Sequence, residues 1–221
     1  MPVDHKVRDE ATNWASALHE LRGPAFVTQG FADLLVERWD QTDNNDLRDM
    51  ALTVQRNANR MLHLVQSLLV DARVDADTLA LQIEDHLLGP ALDVAHDVAA
   101  AYGAEIKVMN GRETMVRADP YRVEQILGTL VENACCHGVP PVTVTTTTDG
   151  PSVTFVIRDD GPRIDAASTE HLFDQFSPLA RKRGSNGLGL HTARRLARAM
   201  QGDVVYLDDA AAFALTLPAP S

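Results

Sequence analysis

Two groups of residues in this chain have the types and spacing to do chemistry. The first is His19-Glu20-Leu21-Arg22-Gly23-Pro24. A carboxylate beside an imidazole can orient the ring and take its proton during nucleophilic attack. Arg22 adds a cation that attracts an anionic group such as phosphate. Pro24 falls inside a helical pattern, where it costs about 3 kcal/mol in an ideal helix. Strain at a functional site is one reason to keep it there, and a harmless kink is the other. An isolated exposed histidine is ordinarily a solvated surface residue, so these three neighbours are what set His19 apart.

The second group lies downstream. Asp159-Asp160-Gly161 follows a strand pattern and places a carboxylate beside a permissive turn, where it can accept a hydrogen bond from an exocyclic amine such as that of adenine. Alone this is a weak signal, since Asp-x-Gly is also a common surface turn. Gly184-Ser185-Asn186-Gly187-Leu188-Gly189-Leu190 is stronger: its glycines let backbone N–H groups approach an anion where a helix begins. It matches neither a Walker loop nor a dinucleotide fingerprint. Arg181-Lys182-Arg183 immediately precedes it, either as a solvated loop or as a cationic cover over phosphates. Asn133 sits late in a helical pattern, where its amide oxygen can coordinate Mg²⁺ once phosphates supply most of the other ligands.

The elements that must position these residues read as two segments. In the first, apolar positions Trp14, Leu18, Leu21, Ala25, Ala32 and Leu35, with Thr28 between Ala25 and Ala32, step by threes and fours, as does the run Leu47, Met50, Val54, Asn57, Met61, Leu64 and Leu68. The polar stretch 40–46 separates them and offers several helix caps. These are two antiparallel helices. Phe31, Ala51, Ala58, Leu62, Val65 and Leu69 widen the stripes beyond what one partner helix covers, so a dimeric four-helix bundle is expected. Asn57 either fixes the register of that bundle or is an ordinary tolerated polar residue. Phe26, one heptad after His19, either packs in the bundle or offers a docking contact.

The second segment begins where the helical pattern dissolves, near residue 76, which predicts domains 1–76 and 77–221. Leu81-Gln82-Ile83, 105–109, 114–116, 142–147, 153–157, 204–207 and 213–217 read as strands, with Asp149-Gly150-Pro151 turning a hairpin. Helices are expected over about 90–102, from Asp119-Pro120 onward, and over about 187–200. Strands and helices interleave without strict alternation, which predicts an α/β sandwich with a mixed sheet covered by helices on one face.

Composition narrows the functional classes. The net charge of −11 over 221 residues argues against a nucleic-acid grip. An apolar share of 45% supports a real core. No apolar run approaches the roughly 20 residues of a membrane span, so a soluble, cytoplasmic chain is expected. Cys135 and Cys136 are adjacent, which is poor geometry for a mutual bridge and fits a reducing compartment.

His19-Glu20-Leu21-Arg22-x-Pro24 on the first helix of a hairpin resembles the phosphoacceptor motif of bacterial two-component sensor histidine kinases. The segment around Asn133, Asp159 to Ile164, Leu172-Phe173-Asp174-Gln175-Phe176 and Gly184 to Leu190 are similar, in order, to the asparagine, first glycine, phenylalanine and second glycine motifs of the nucleotide domain shared by histidine kinases, gyrase-type ATPases and Hsp90-like chaperones. The resemblance implies a homodimeric protein-histidine kinase that autophosphorylates His19 and passes the phosphate to an aspartate of a response regulator receiver domain. It implies His19 and Glu20 as catalytic residues. It implies ATP binding through Asn133, Asp159, Gly161, Arg181, Lys182, Gly184, Gly187, Leu188 and Gly189, with Mg²⁺ on Asn133.

Three departures qualify it. Gly23 stands where many relatives carry Thr or Asn, a side chain that in the family positions the water for dephosphorylating the regulator, so weak phosphatase activity is expected. Arg163 replaces a glycine, and either crowds the adenine pocket or lends charge to the triphosphate. Thr129 replaces the catalytic Glu of the ATPase branches and the Asn of many kinases, which favours transfer to His19 over hydrolysis. The alternative is a non-catalytic dimeric phosphotransfer or scaffold protein with a degenerate nucleotide site.

Overall fold

The computed structural model describes residues 3–39, 42–177 and 187–220. The chain divides into two compact units, Met1–Leu69 and Val70–Ser221. The first holds two long helices, α1 (Val3–Arg38) and most of α2 (Asn44–Asp75). Asp43 caps α2: its Oδ1 accepts from the N–H groups of Asn45 and Asp46, both at 2.9 Å. The helix α1 continues through Gly23 and Pro24 without interruption.

The expected seam of α2 is the covered one: Leu47, Met50, Val54, Asn57, Met61 and Leu68 are half-buried and Leu64 is buried. Asn57 is satisfied locally, its Nδ2 donating to Thr53 O at 2.8 Å. On α1 the covered line differs from expectation. It runs through Ala17, Leu21, Pro24, Thr28, Phe31 and Leu35, while Leu18 and Ala25 are exposed. The heptad steps are kept, but one helix cannot cover both edges of a wide stripe. A second edge therefore stays open, with Leu18 at 61%, Leu62 at 52% and Leu69 at 52% exposure. Phe26, 71% exposed, does not pack within the hairpin.

The second unit is built on a five-stranded sheet, together with a two-stranded ribbon. Its elements are β1 (Glu84–Leu87), α3 (Gly89–Ala101), β2 (Ile106–Val108), β3 (Met115–Ala118), α4 (Pro120–His137), β4 (Val142–Asp149), β5 (Ser152–Arg158), α5 (Ala166–Glu170), α6 (Gly189–Ala199), β6 (Asp203–Leu207) and β7 (Ala212–Pro218). The sheet order is β2-β4-β5-β7-β6, with β2 parallel to β4 and the other pairs antiparallel. It is a mixed sheet, as the interleaved pattern predicts.

Its inward residues, among them Val144, Phe155, Ile157, Leu215 and Leu217, pack with Leu92, Ile126, Leu127, Leu130 and Leu196 of α3, α4 and α6 into one core. The opposite face is largely small: Thr143, Thr145, Thr154 and Thr216 lie there half-buried, and Thr154 and Thr216 share a hydrogen bond of 3.1 Å. Val156, Val205 and Leu207 share that face by register, so it is mixed rather than fully polar, and such a face tolerates partial wetting.

The strand expected at Leu81-Gln82-Ile83 is displaced. The ribbon starts at Glu84, opposite Ala118. Upstream, the Gln82 N–H donates to Asp119 Oδ2 at 2.9 Å and so is unavailable to a ladder. The same Asp119 caps α4, its Oδ1 accepting from Arg122 N at 3.2 Å with Pro120 following. One buried carboxylate thus ends the connector and starts the helix that carries Asn133.

Candidate functional site

The residues with nucleotide-type chemistry converge on a cleft in the second unit. Its walls are Asn133, His137 and Gly138 at the end of α4, Asp159, Pro162 and Ile164 in the turn after β5, and Tyr206, Ala211 and Phe213 on β6 and β7. The space it encloses is small, about 20 Å³, well below the roughly 300 Å³ at which ligand sites begin.

Asp159 is the most constructed side chain there. Its Oδ1 accepts from the N–H of Gly161 at 2.7 Å and of Val139 at 3.1 Å. Both bonds fall on one oxygen. Among the described residues, none donates a hydrogen bond to Oδ2, the atom left for an external N–H. The cradle exists because two glycines stand aside. A Cβ on Gly138 would lie 2.2 Å from Asp159 Cγ, and one on Gly161 would lie 2.5 Å from Oδ1. Gly161 therefore acts on the carboxylate, its N–H being spent there.

Gly138 and the Val139 amide escaped the sequence reading. A glycine after a helical run reads only as a helix stop, and nothing in the sequence shows a carboxylate 21 residues on folding against it. Tyr206 was missed as well: its hydroxyl accepts from Ile164 N at 3.0 Å and pins the far side of the turn.

Asn133 is half-buried and lines the cleft. Its neighbour Glu132 turns elsewhere, accepting from the Tyr102 hydroxyl at 2.6 Å. Burial, with Glu132 as acceptor, pushes the Tyr102 phenol well above its ordinary range. The Thr129 hydroxyl donates to Gln125 O one turn back, at 2.9 Å. Its methyl would lie 3.1 Å from a Cβ on Gly189, so that glycine sets how closely α6 starts against α4.

Gly187 uses a left-handed backbone, φ +66°, which glycine adopts without penalty. Its carbonyl accepts from the N–H of Phe176 at 3.1 Å, and Phe176 itself sits at φ +57°. A buried aromatic in that conformation costs about 1–2 kcal/mol, so the link between the phenylalanine and glycine stretches is held under strain. Leu188 occupies the N-cap position of α6 with no side-chain acceptor, and its side chain is buried. Only its backbone can meet a ligand. The uncapped first turn of α6 leaves N–H groups suited to an anion. Arg181, Lys182 and Gly184 lie outside the described residues.

Arg163 neither crowds the cleft nor turns its charge into it. The side chain is exposed and Nη2 donates to Asp209 O at 2.8 Å, on the turn between β6 and β7. The wall passes from Pro162 to Ile164 without it. Among the described residues no cluster of three or more His, Cys, Asp or Glu side chains forms a metal cage. A single amide donor at Asn133 fits Mg²⁺, which keeps waters and phosphate oxygens and needs few protein ligands. In the first unit His19 is exposed and Glu20 half-buried. Among the described residues, no helix is long and apolar enough to cross a membrane.

Residues 12–77 match the family model of the His Kinase A (phospho-acceptor) domain, and residues 118–221 match that of the histidine kinase-, DNA gyrase B- and HSP90-like ATPases. The chain belongs to the sensor histidine kinases. Sensor histidine kinase TrcS of Mycobacterium tuberculosis is 34% identical over 203 residues, covering 85% of this chain and 39% of TrcS. This kinase core spans about two fifths of the length of the first curated relatives it matches. Among solved structures, full-length ShkA in complex with AMPPNP superposes with a TM-score of 0.62 at 25% identity, over 95% of this chain and 45% of ShkA. The histidine kinase AdeS of Acinetobacter baumannii shares the fold, with a TM-score of 0.66 at 22% identity over 91% and 96% of the two chains. The helical hairpin followed by a mixed α/β sandwich is thus the fold of histidine kinases.

Proposed function

We propose that this chain is an ATP:protein-histidine kinase core acting in two-component signalling. Residues 1–76 would form the dimerisation and phosphoacceptor domain, and 77–221 the ATP-binding domain. His19 attacks the γ-phosphorus of ATP, the bond to the β–γ bridging oxygen breaks, ADP leaves, and Glu20 takes the imidazole proton. The phosphoryl group then passes from nitrogen to an aspartate carboxylate of a response regulator receiver domain. Asp159 holds the adenine amine with Oδ2 while Gly161 steadies Oδ1. The amides of Gly187, Leu188 and Gly189 receive phosphates, assisted by Arg181, Lys182 and Gly184. Bound at Asn133, Mg²⁺ would neutralise phosphate charge. Positioning and electrostatics supply most of the rate in such transfers. The protein works as a homodimer through the open apolar edge of the hairpin, in the cytoplasm, without nucleic acid.

The observation that carries this reading is the carboxylate cradle at Asp159. Two amides and two glycines fix one oxygen and leave the other to the cleft, an arrangement without purpose in a decayed site. Arg163, which would favour the scaffold alternative by crowding the adenine pocket, is tied to Asp209 O instead. A hydrolytic ATPase is disfavoured because Thr129 and Glu132 are both engaged away from the cleft. Incubation with γ-labelled ATP and Mg²⁺ should give acid-labile label that His19→Gln abolishes. Label surviving in that variant would overturn the acceptor. Absent label together with absent ATP binding would favour the scaffold.

A further inference from the structure

A buried charge cluster stands outside the cleft and has no part in the chemistry above. Asp71, near the end of α2 and packed within the second unit, is only 4% exposed. Its Oδ2 accepts from Gln175 Nε2 at 3.3 Å and lies 3.7 Å from His191 Nε2. Its Oδ1 lies 3.4 Å from Arg195 Nη1 but makes no hydrogen bond there. Arg195 also donates through Nη2 to Asp75 Oδ1 at 2.5 Å. His191 is held from its other side, Nδ1 meeting Phe173 O at 2.9 Å.

The hydrogen positions follow from the partners. A carbonyl donates nothing, so Nδ1 of His191 carries the hydrogen toward Phe173. Nε2 therefore meets Asp71 favourably only if a further proton sits on the pair. Burial pushes the Asp71 carboxyl above its ordinary range, against the pull of His191 and Arg195.

The cluster ties three segments together. These are the end of α2, the Phe173–Gln175 stretch, and the first turns of α6, which open at Gly189 two residues before His191. Phe176, next to Gln175, is the residue whose N–H holds Gly187. We propose that Asp71 is a positioning residue for the nucleotide site, holding His191, Arg195 and Gln175 so that the amides of Gly187 to Gly189 stand where phosphate can be received. This rests on the kinase reading, in which those amides bind ATP. Asp71 touches no substrate. It acts through α6, and a buried ion pair with no other assignment is explained by the geometry it imposes.

The test compares the full chain with Asp71→Asn, which keeps the shape and the acceptor for Gln175 but removes the charge. Titration with a non-hydrolysable ATP analogue and Mg²⁺ should show binding weakened by about tenfold. Transfer to the regulator from His19 phosphorylated in advance needs no nucleotide and should be unchanged. The double variant Asp71→Asn/His191→Gln removes the same contact from both sides and should lose no more than about threefold beyond Asp71→Asn alone. A purely structural role predicts the opposite pattern: additive losses, a lowered melting temperature, and transfer impaired together with binding. Unaltered affinity in Asp71→Asn would also overturn the proposal. Should Asp71→Asn not fold, His191→Gln alone serves, with the same drop in analogue affinity expected and parental affinity overturning it. If the unsubstituted chain binds no nucleotide, the kinase reading fails first, which is a separable result.

Discussion

Replacing Gly138 by alanine should weaken nucleotide binding although position 138 makes no side-chain contact with any ligand. The backbone there, φ −96° and ψ −164°, is open to any residue, so the effect is steric alone. The added methyl would sit 2.2 Å from Asp159 Cγ, 2.3 Å from Oδ1 and 2.6 Å from the carbonyl of Ala134. A helix carbonyl cannot retreat cheaply, so residue 138 itself must shift and the carboxylate rotate, which breaks the bonds from the amides of Val139 and Gly161. A hydrogen bond between a carboxylate and a ligand N–H is worth about 1.5–3 kcal/mol. At about 1.4 kcal/mol per decade, losing it weakens binding roughly ten- to 150-fold. Gly128→Ala, in the same helix, is the control: its Cβ meets Val94 and Val98 at an ordinary 3.8 Å. That substitution should leave binding unchanged and stabilise the fold by about 0.5–1 kcal/mol. Calorimetric titration of both variants with a non-hydrolysable ATP analogue decides the matter. A folded Gly138→Ala protein with parental affinity refutes the cradle as the adenine anchor.

Two other outcomes follow from particular contacts. Asp203 accepts from Arg194 and Arg198 and from Val204 N–H. Burial alone would raise its carboxyl, but these bonds prevail and hold it at about 2. A depressed value means stability that is present above the unfolded value near 4 and lost as pH falls from there toward 2. With the side chain 35% exposed, solvent screening reduces this to on the order of 1 kcal/mol. Asp203→Asn should thus lower the urea midpoint at pH 7, with most of that gap closed by about pH 2; a gap of the same size at both would refute it. At Gly23 a Cβ would meet nothing within 4 Å beyond its own helix turn and chain neighbours. Gly23→Thr should therefore change stability by less than about 1 kcal/mol while raising dephosphorylation of the regulator, and a parental protein that already dephosphorylates it efficiently would show the glycine to be innocent.

Much of this molecule is legible in its sequence where one residue answers to one partner. The α2 seam, the hairpin around Gly150 and the Asp119-Pro120 start of α4 are local patterns, and the structure keeps them. Where a residue answers to several, the reading slips. The stripe on α1 serves two edges, so counting apolar steps merged the line through Ala17 and Pro24 with the open line through Leu18 and Ala25. Ile83 alternates like a strand residue, yet Asp119 claims the neighbouring amide from 37 residues away. In the cleft, Asp159 and Asn133 announce themselves by type. Gly138, Val139 and Tyr206 do not, because their parts are played by a missing methyl, a backbone amide and a hydroxyl aimed at a turn.

The helix α2 has a further consequence for modularity. It is one uninterrupted helix, yet from Val70 onward its residues belong to the core and the charge cluster of the second unit. The natural seam for exchanging parts between such proteins is therefore not where the helix ends. A chimaera joined after Asp75 would give the new nucleotide domain a foreign residue in place of Asp71, leaving His191 and Arg195 facing it. Grafts made before Val70 carry the anchor with them, and recombination that respects that line keeps the nucleotide domain whole.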